Sequence, residues 1–458
     1  MPSARKCNML TLLRQRQNKV ALFFALFSLA AMLLLSPSYQ GLTVLRLWWE
    51  NGRYTPITMS VPYAPFGGDF LSEWTAGYIV REGDRTLLYD TPYVSDVQHD
   101  SAKLGVDFDK GSLLLLFYPP AYYLLVSPLS LIPIQISAMI WACLMTAFLI
   151  AAAAVAARTC PDQPGAFAWC LFIAFLFFPL IHSLNTGQKG TLWLLIFTVV
   201  FALLHQRRPF AAGVVFGLLA LKPPLAVALG LAMLWKRQWR FLGGCAISVL
   251  AVVGLSFAFG PEVFVRFLDS AAHAPDFTMR PDYPLDTEHT FYGFFALLLR
   301  GHATPGVIRA LAAMMALLSL GVLVRLLRGP LEIGSHKFSL QFAGIVVATV
   351  LLSPKLLTYD LTIILLPIFL LARLVVVRPA WAEEHRTKII LAAVALFVVC
   401  AGGQPIARAT HLHLDTLVLL GVLFSLSRVG LRGVSVAAGE RSAALAGYAA
   451  VPEPAVSV

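Results

Sequence analysis

The feature that most constrains this chain is its succession of uncharged apolar runs, each long enough for several helical turns and separated by short polar punctuation. Lipid offers backbone N–H and C=O groups no partners, so a chain crossing it folds as helices or a closed barrel, and about 20 apolar residues make a helical crossing. Runs of this kind lie near Val20 to Ser36, Gln135 to Ala157, Ala166 to His182, Thr191 to His205, Phe210 to Leu221, Leu225 to Trp235 and Phe241 to Phe259. Further runs lie near Val307 to Leu327, Phe338 to Leu352, Leu361 to Val377, Ile389 to Gly402 and Thr416 to Leu426. With 58% hydrophobic and 13% charged residues, the chain is too apolar for a water-soluble surface. The expected fold class is all-α, a polytopic transmembrane helical protein with roughly 11–13 membrane segments.

Two polar stretches interrupt the pattern. Pro37 to Gly111 carries ten acidic and six basic residues; Gly260 to His302 carries six acidic residues and three arginines. Both are longer and richer in aromatic residues than connectors need to be, and the first is expected to hold function and short interfacial helices. The expected organisation is one membrane domain over 1–433, with these two loops at 37–111 and 260–302, and a disordered Ala/Gly/Ser-rich tail over 434–458.

The formal net charge is +11. The cations sit in clusters between apolar runs, which reports orientation in a bilayer rather than a nucleic-acid partner. The N-terminal cluster (Arg5, Lys6, Arg14, Arg16, Lys19), Arg207-Arg208, Lys236-Arg237, Arg325 with Arg328, Arg373 to Lys388, and Arg428 with Arg432 are read as cytoplasmic. The two acidic loops then face outward. Val20 to Ser36 superficially resembles a signal peptide but is long enough for a retained first span. Leu113 to Pro133, broken by Pro119-Pro120, Pro128 and Pro133, is read as re-entrant or interfacial, which keeps Arg158 on the cytoplasmic side. The six cysteines form no CxxC motif and no Cys/His cluster, so neither a disulfide framework nor a metal site is expected, and no cofactor is called for.

This topology collects the remaining polar residues at the outer face. Asp69 and Glu73 share one helix face by their spacing, and a carboxylate there can act as general base on a hydroxyl; a solvated acidic loop is the alternative. Lys222, before Pro223-Pro224 and between two short apolar runs, is placed to meet a phosphate or to snorkel. Lys189 and Lys355 face the same compartment, and the turn Asn185-Thr186-Gly187-Gln188 offers amide donors to phosphate or sugar hydroxyls or serves as a plain interhelical turn. Asp360, following Tyr359, is a membrane-depth carboxylate that either meets substrate or pairs with Lys355. His289 either orients an acceptor or phosphate, or is a surface histidine. Tyr118-Pro119-Pro120 shapes the re-entrant element.

The order of these motifs, from Gly68-Asp69-Phe70 and Leu88-Tyr89-Asp90 through Tyr118-Pro119-Pro120, Gly187-Gln188, Ala212-Gly213, Lys222-Pro223 and Trp239-Arg240 to Ser353-Pro354, resembles glycosyltransferase family 87 of the GT-C superfamily. The resemblance covers about Val20 to Val377. It implies a GT-C fold and inverting transfer of a hexose, mannose by default, from a polyprenyl-phosphate donor to a lipid or glycan acceptor at the outer face of the cell's inner membrane. Asp69 matches the family's base. Lys222, Lys189 and Lys355 would hold the donor phosphate, and Glu73, Gln188, Asn185, His289, Tyr359 and Asp360 would line the substrate site. A transporter or flippase of lipid-linked saccharides is the reading from another class; the chain shows no inverted repeat to support it.

Overall fold

The computed structural model describes residues 68–82, 84–104, 108, 113–160, 163, 165–277 and 283–429. The first apolar run, the N-terminal basic cluster, Gly67, Arg432 and the tail lie outside them. Among the described residues the chain is helical throughout, and an antiparallel bridge between Glu288 and Leu357 stands in place of any strand ladder.

Five helices are long and apolar enough to cross a bilayer: Ile134–Arg158, Trp239–Phe259, Pro305–Leu326, Thr358–Val377 and Arg386–Thr410. The pair Ala166–Phe175 and Phe178–Asn185, which meet at 73°, is apolar enough for a sixth only if it is counted as one broken span. Pro179 explains that break, because it withholds an N–H from the preceding turn and disfavours helix in the residue before it. The other expected segments are shorter apolar helices, Gly190–His205, Pro209–Leu221, Pro223–Trp235 and His336–Leu352, with a last one over 414–429. Thr358–Val377 is the central helix, 78% buried along its apolar window, whereas Trp239–Phe259 is only 22% buried and turns Ile247, Leu250 and Phe257 outward as a lipid-facing surface does.

Leu113 to Pro133 makes no crossing. It runs irregularly to Pro119, forms the short helix Pro120–Val126 with proline at its first position, and ends in a 3-10 turn over Ser127–Leu131. The acidic first loop, where described, folds into Phe70–Glu82, Thr91–His99 and Ser101–Leu104. The second is less of a loop than its composition suggests, since Pro261–Phe277 is a strongly amphipathic helix.

Close backbone contact joins Pro209–Gly217 to Trp239–Phe259. A Cβ on Gly213 would lie 1.9 Å from the Phe241 carbonyl oxygen, and one on Gly244 would lie 2.1 Å from that of Phe210. Small residues permit this approach, and no hydrophobic drive exists between helices in lipid to replace it.

The short connections alternate the helix ends between two poles. One pole gathers Thr159, His205, Ser339 and Arg373, whose guanidinium donates to the Thr159 carbonyl and the Ser339 hydroxyl and meets His205. Lys236, donating to the Gly329 carbonyl, caps the same ends, so Arg158 lies with the other basic residues. The opposite pole holds Asp69, Gln188, Lys222, Lys355 and Asp360.

Candidate active site

The site starts from a turn. Helix Phe178–Asn185 ends where Thr186 donates back to the His182 carbonyl and Gly187 takes a left-handed conformation at φ 74°, a conformation glycine adopts without a Cβ clash. The turn's free carbonyls are then used by neighbours: Trp141 Nε1 donates to Gly187 at 2.7 Å, and the Asp69 N–H donates to Thr186 at 2.9 Å. Asp69 is thereby fixed at the start of Phe70–Glu82, and Gln188 Nε2 donates to its Oδ2 at 2.8 Å. The residue as a whole is half-buried. Burial pushes its proton affinity up and the Glu73 charge adds to this; the Gln188 hydrogen bond and Lys189 pull it back down.

One turn along the helix, Glu73 forms an ion pair with Lys189, both side chains only 2% exposed. Lys189 Nζ also sits 4.3 Å from the ring centre of Tyr118 and 5.5 Å from that of Tyr122. Lys189 thus lies between a carboxylate and two aromatic faces, with Glu73 as its counter-ion. Tyr118 in turn stacks on Trp193 at 6.4 Å and is held by Tyr89, whose hydroxyl donates to the Tyr118 carbonyl at 2.6 Å. The Tyr-Pro-Pro segment is a wall.

Lys222 stands at the tip of a helical hairpin, between two 3-10 turns. It forms an ion pair with Asp360. The other Asp360 oxygen accepts the Leu357 N–H at 3.2 Å, closing the first turn of the central helix. Lys222 stays 16% exposed and lies 5.5 Å from the Tyr359 ring centre and 6.0 Å from that of Trp193. Lys355 is half-buried over Phe117 at 4.8 Å and Tyr283 at 5.6 Å, and burial lowers its proton affinity while Glu288 opposes that. Glu288 accepts from the Tyr283 hydroxyl at 2.7 Å and from Thr290, and burial raises its proton affinity. Trp193 borders both halves of the site: Tyr118 stacks on it, and Lys222 lies 6.0 Å from its ring centre. His182 stacks on Tyr359, and Asn185 is half-buried at the end of the same helix.

Gly190 locks these halves together. A Cβ there would meet the Ser183 Oγ and the Tyr359 carbonyl at 2.6 Å and Thr362 Oγ1 at 2.7 Å.

His289 is placed elsewhere than expected. It is fully buried rather than at a surface, with Nε2 2.9 Å from Thr358 Oγ1 and Nδ1 against Asp415. His413 and Asp415, which join it in a buried cluster, were not singled out in the sequence; the alternation His411-Leu412-His413-Leu414-Asp415 is the signal that could have drawn attention to them.

A carboxylate with a fixed hydrogen-bond donor and half-buried lysines set over aromatic rings gather at one pole of a helical bundle. The model of glycosyltransferase family 87 matches residues 116–354, a little over half of the chain, and the protein belongs to that family, which makes it a membrane glycosyltransferase. The match takes in Tyr118, Gln188, Lys189 and Lys222 and leaves out Asp69, Lys355 and Asp360. No curated protein matches the chain, and no solved structure does.

Proposed function

We propose that the protein transfers a hexose, mannose by family resemblance, with inversion from a polyprenyl-phosphate donor to a lipid or glycan acceptor. Asp69 takes the proton from the acceptor hydroxyl as its oxygen attacks the anomeric carbon. The bond from that carbon to the phosphate oxygen breaks on the opposite face, and its electron pair leaves with the polyprenyl phosphate. Lys222 and Lys355, the partly exposed cations, stabilise the charge gathering there. Gln188 aims the base, while Tyr359 and Asn185 line the cavity. The separation of the basic pole from the acidic one supports an orientation with the N-terminus cytoplasmic and the site facing the outside of the inner membrane.

The observation that carries this reading is the geometry of Asp69: a half-buried residue clamped through its N–H by the Thr186 carbonyl and through Oδ2 by Gln188. The test is Asp69→Asn, assayed in membranes with a radiolabelled polyprenyl-phosphate sugar. General-base catalysis is typically worth about 100-fold or more, so transfer should fall at least that far while folding and donor binding persist. Full activity in the variant removes Asp69 as base.

A further inference from the structure

The buried cluster of His289, His413 and Asp415 has no task in the transfer reading. Its hydrogen bonding fixes where the protons are. His413 Nε2 lies 2.9 Å from the Leu285 carbonyl, which can only accept, so Nε2 carries the hydrogen and a neutral ring turns the bare Nδ1 inward. Nδ1 has no hydrogen-bond partner and sits 3.5 Å from Asp415 Oδ1, which has none either; both are fully buried. Two acceptors facing each other out of water repel, and such orphaned pairs call for something between them.

His289 approaches the same carboxylate from its other side: Nδ1 is hydrogen-bonded to Asp415 Oδ2 and Nε2 lies 2.9 Å from Thr358 Oγ1. A metal at that Nδ1 would take the place of the proton shared with the carboxylate, while His413 is tied outward through its far N–H to a carbonyl, the arrangement that orients histidines bound to a metal. Gly403 leaves room for the carboxyl group, since a Cβ there would lie 3.1 Å from it.

We propose that this cluster binds a divalent transition-metal ion, Zn2+ foremost, through His289 Nδ1, His413 Nδ1 and the Asp415 carboxylate. The donor atoms lie within 4.8 Å of one another. Zinc bonds of about 2.0–2.1 Å place tetrahedral donors roughly 3.3 Å apart, so the rings draw in slightly around the ion. Two imidazoles and a carboxylate suit Zn2+ rather than Mg2+ or Ca2+, which prefer all-oxygen sites. The ion is a clasp. It ties the loop over 285–290 to the ends of Arg386–Thr410 and the helix over 414–429. That loop in turn holds the Lys355–Asp360 segment through the His289 N–H on Leu356 at 2.9 Å and the Glu288–Leu357 bridge.

The test measures metal and is independent of whether sugar is transferred. Tag-free protein is purified in detergent, dialysed against metal-free buffer, incubated with Zn2+, dialysed again, and analysed by plasma mass spectrometry. About one zinc per chain is expected, with near-complete loss in His413→Ala and Asp415→Asn and none in His302→Ala, an exposed control. Substitution by Co2+ should give the visible absorption of a low-coordinate nitrogen/oxygen site. Wild-type protein that stays metal-free after incubation with Zn2+ overturns the proposal and leaves a protonated imidazole facing Asp415 as the occupant. That measurement needs no variant to fold.

Discussion

Lys189→Met isolates the role of the buried ion pair. The Glu73 and Lys189 side chains are each 2% exposed, and Glu73 Oε2 has no hydrogen-bond partner even in the intact pair. Removing the ammonium leaves a carboxylate out of water with nothing opposite it, and breaking such a pair from one side costs about 3–5 kcal/mol. Loss of the contact with the Tyr118 and Tyr122 rings adds roughly 0.5–2 kcal/mol. Replacing both partners by apolar groups, Glu73→Leu with Lys189→Met, removes the buried charge altogether, and substitutions of that kind are commonly neutral or stabilising. Equilibrium unfolding in mixed detergent micelles should therefore show a large loss for the single variant and recovery of most of it in the double. Steady-state transfer by the double variant should keep the wild-type KM for the donor, because Lys189 is walled off from it. A single variant stable to within about 0.5 kcal/mol of wild type, or a double variant whose donor KM rises as far as that of a Lys222 variant, would refute the sealed-pair reasoning.

Four further outcomes follow from the site. Burial raises the Asp69 carboxyl, so the base is lost as pH falls through a value above the ordinary carboxylate range, and the acid limb of a kcat/KM profile should sit there. A group whose folded affinity for its proton is raised contributes stability that is present below its unfolded pKa and lost as pH rises through the folded one; Asp69→Asn should accordingly match or exceed wild-type thermal stability at neutral pH, with the difference shrinking in acid. Gly190→Ala forces a Cβ against the Tyr359 carbonyl and should lower stability by about 1–3 kcal/mol together with activity, read by thermal unfolding and transfer assay. Lys222→Ala should raise the KM for the donor more than it lowers kcat, and an unchanged donor dependence sinks its phosphate role.

The apolar runs located the helices to within a few residues because the bilayer leaves the backbone no other arrangement. Ile134–Arg158 answers the run from Gln135 to Ala157, and Trp239–Phe259 the run from Phe241. Proline marked the broken elements: Pro119-Pro120 and Pro128 the non-crossing segment, Pro179 the bend. Pairing was not legible. Lys222 meets Asp360, 138 residues away, and Lys189 meets Glu73, 116 residues away; local spacing says nothing about contacts made when helices pack. The same blindness hid the His289 cluster, whose members lie 126 residues apart. The amphipathic helix Pro261–Phe277 was in the letters, with Val263, Phe264 and Phe267 on one face, but its acidic residues drew attention instead.

The hairpin that carries Lys222 has a geometric corollary. Each arm has nine α-helical and four 3-10 residues, about 20 Å of rise, against a hydrocarbon slab of about 30 Å. Gly190–His205 and His336–Leu352, with 16 and 17 residues, reach about 24–26 Å. Ile134–Arg158 and Arg386–Thr410, with 25 residues each, reach about 38 Å. With its base at one surface of the slab, the hairpin's tip, and Lys222 with it, stops about 10 Å short of the other.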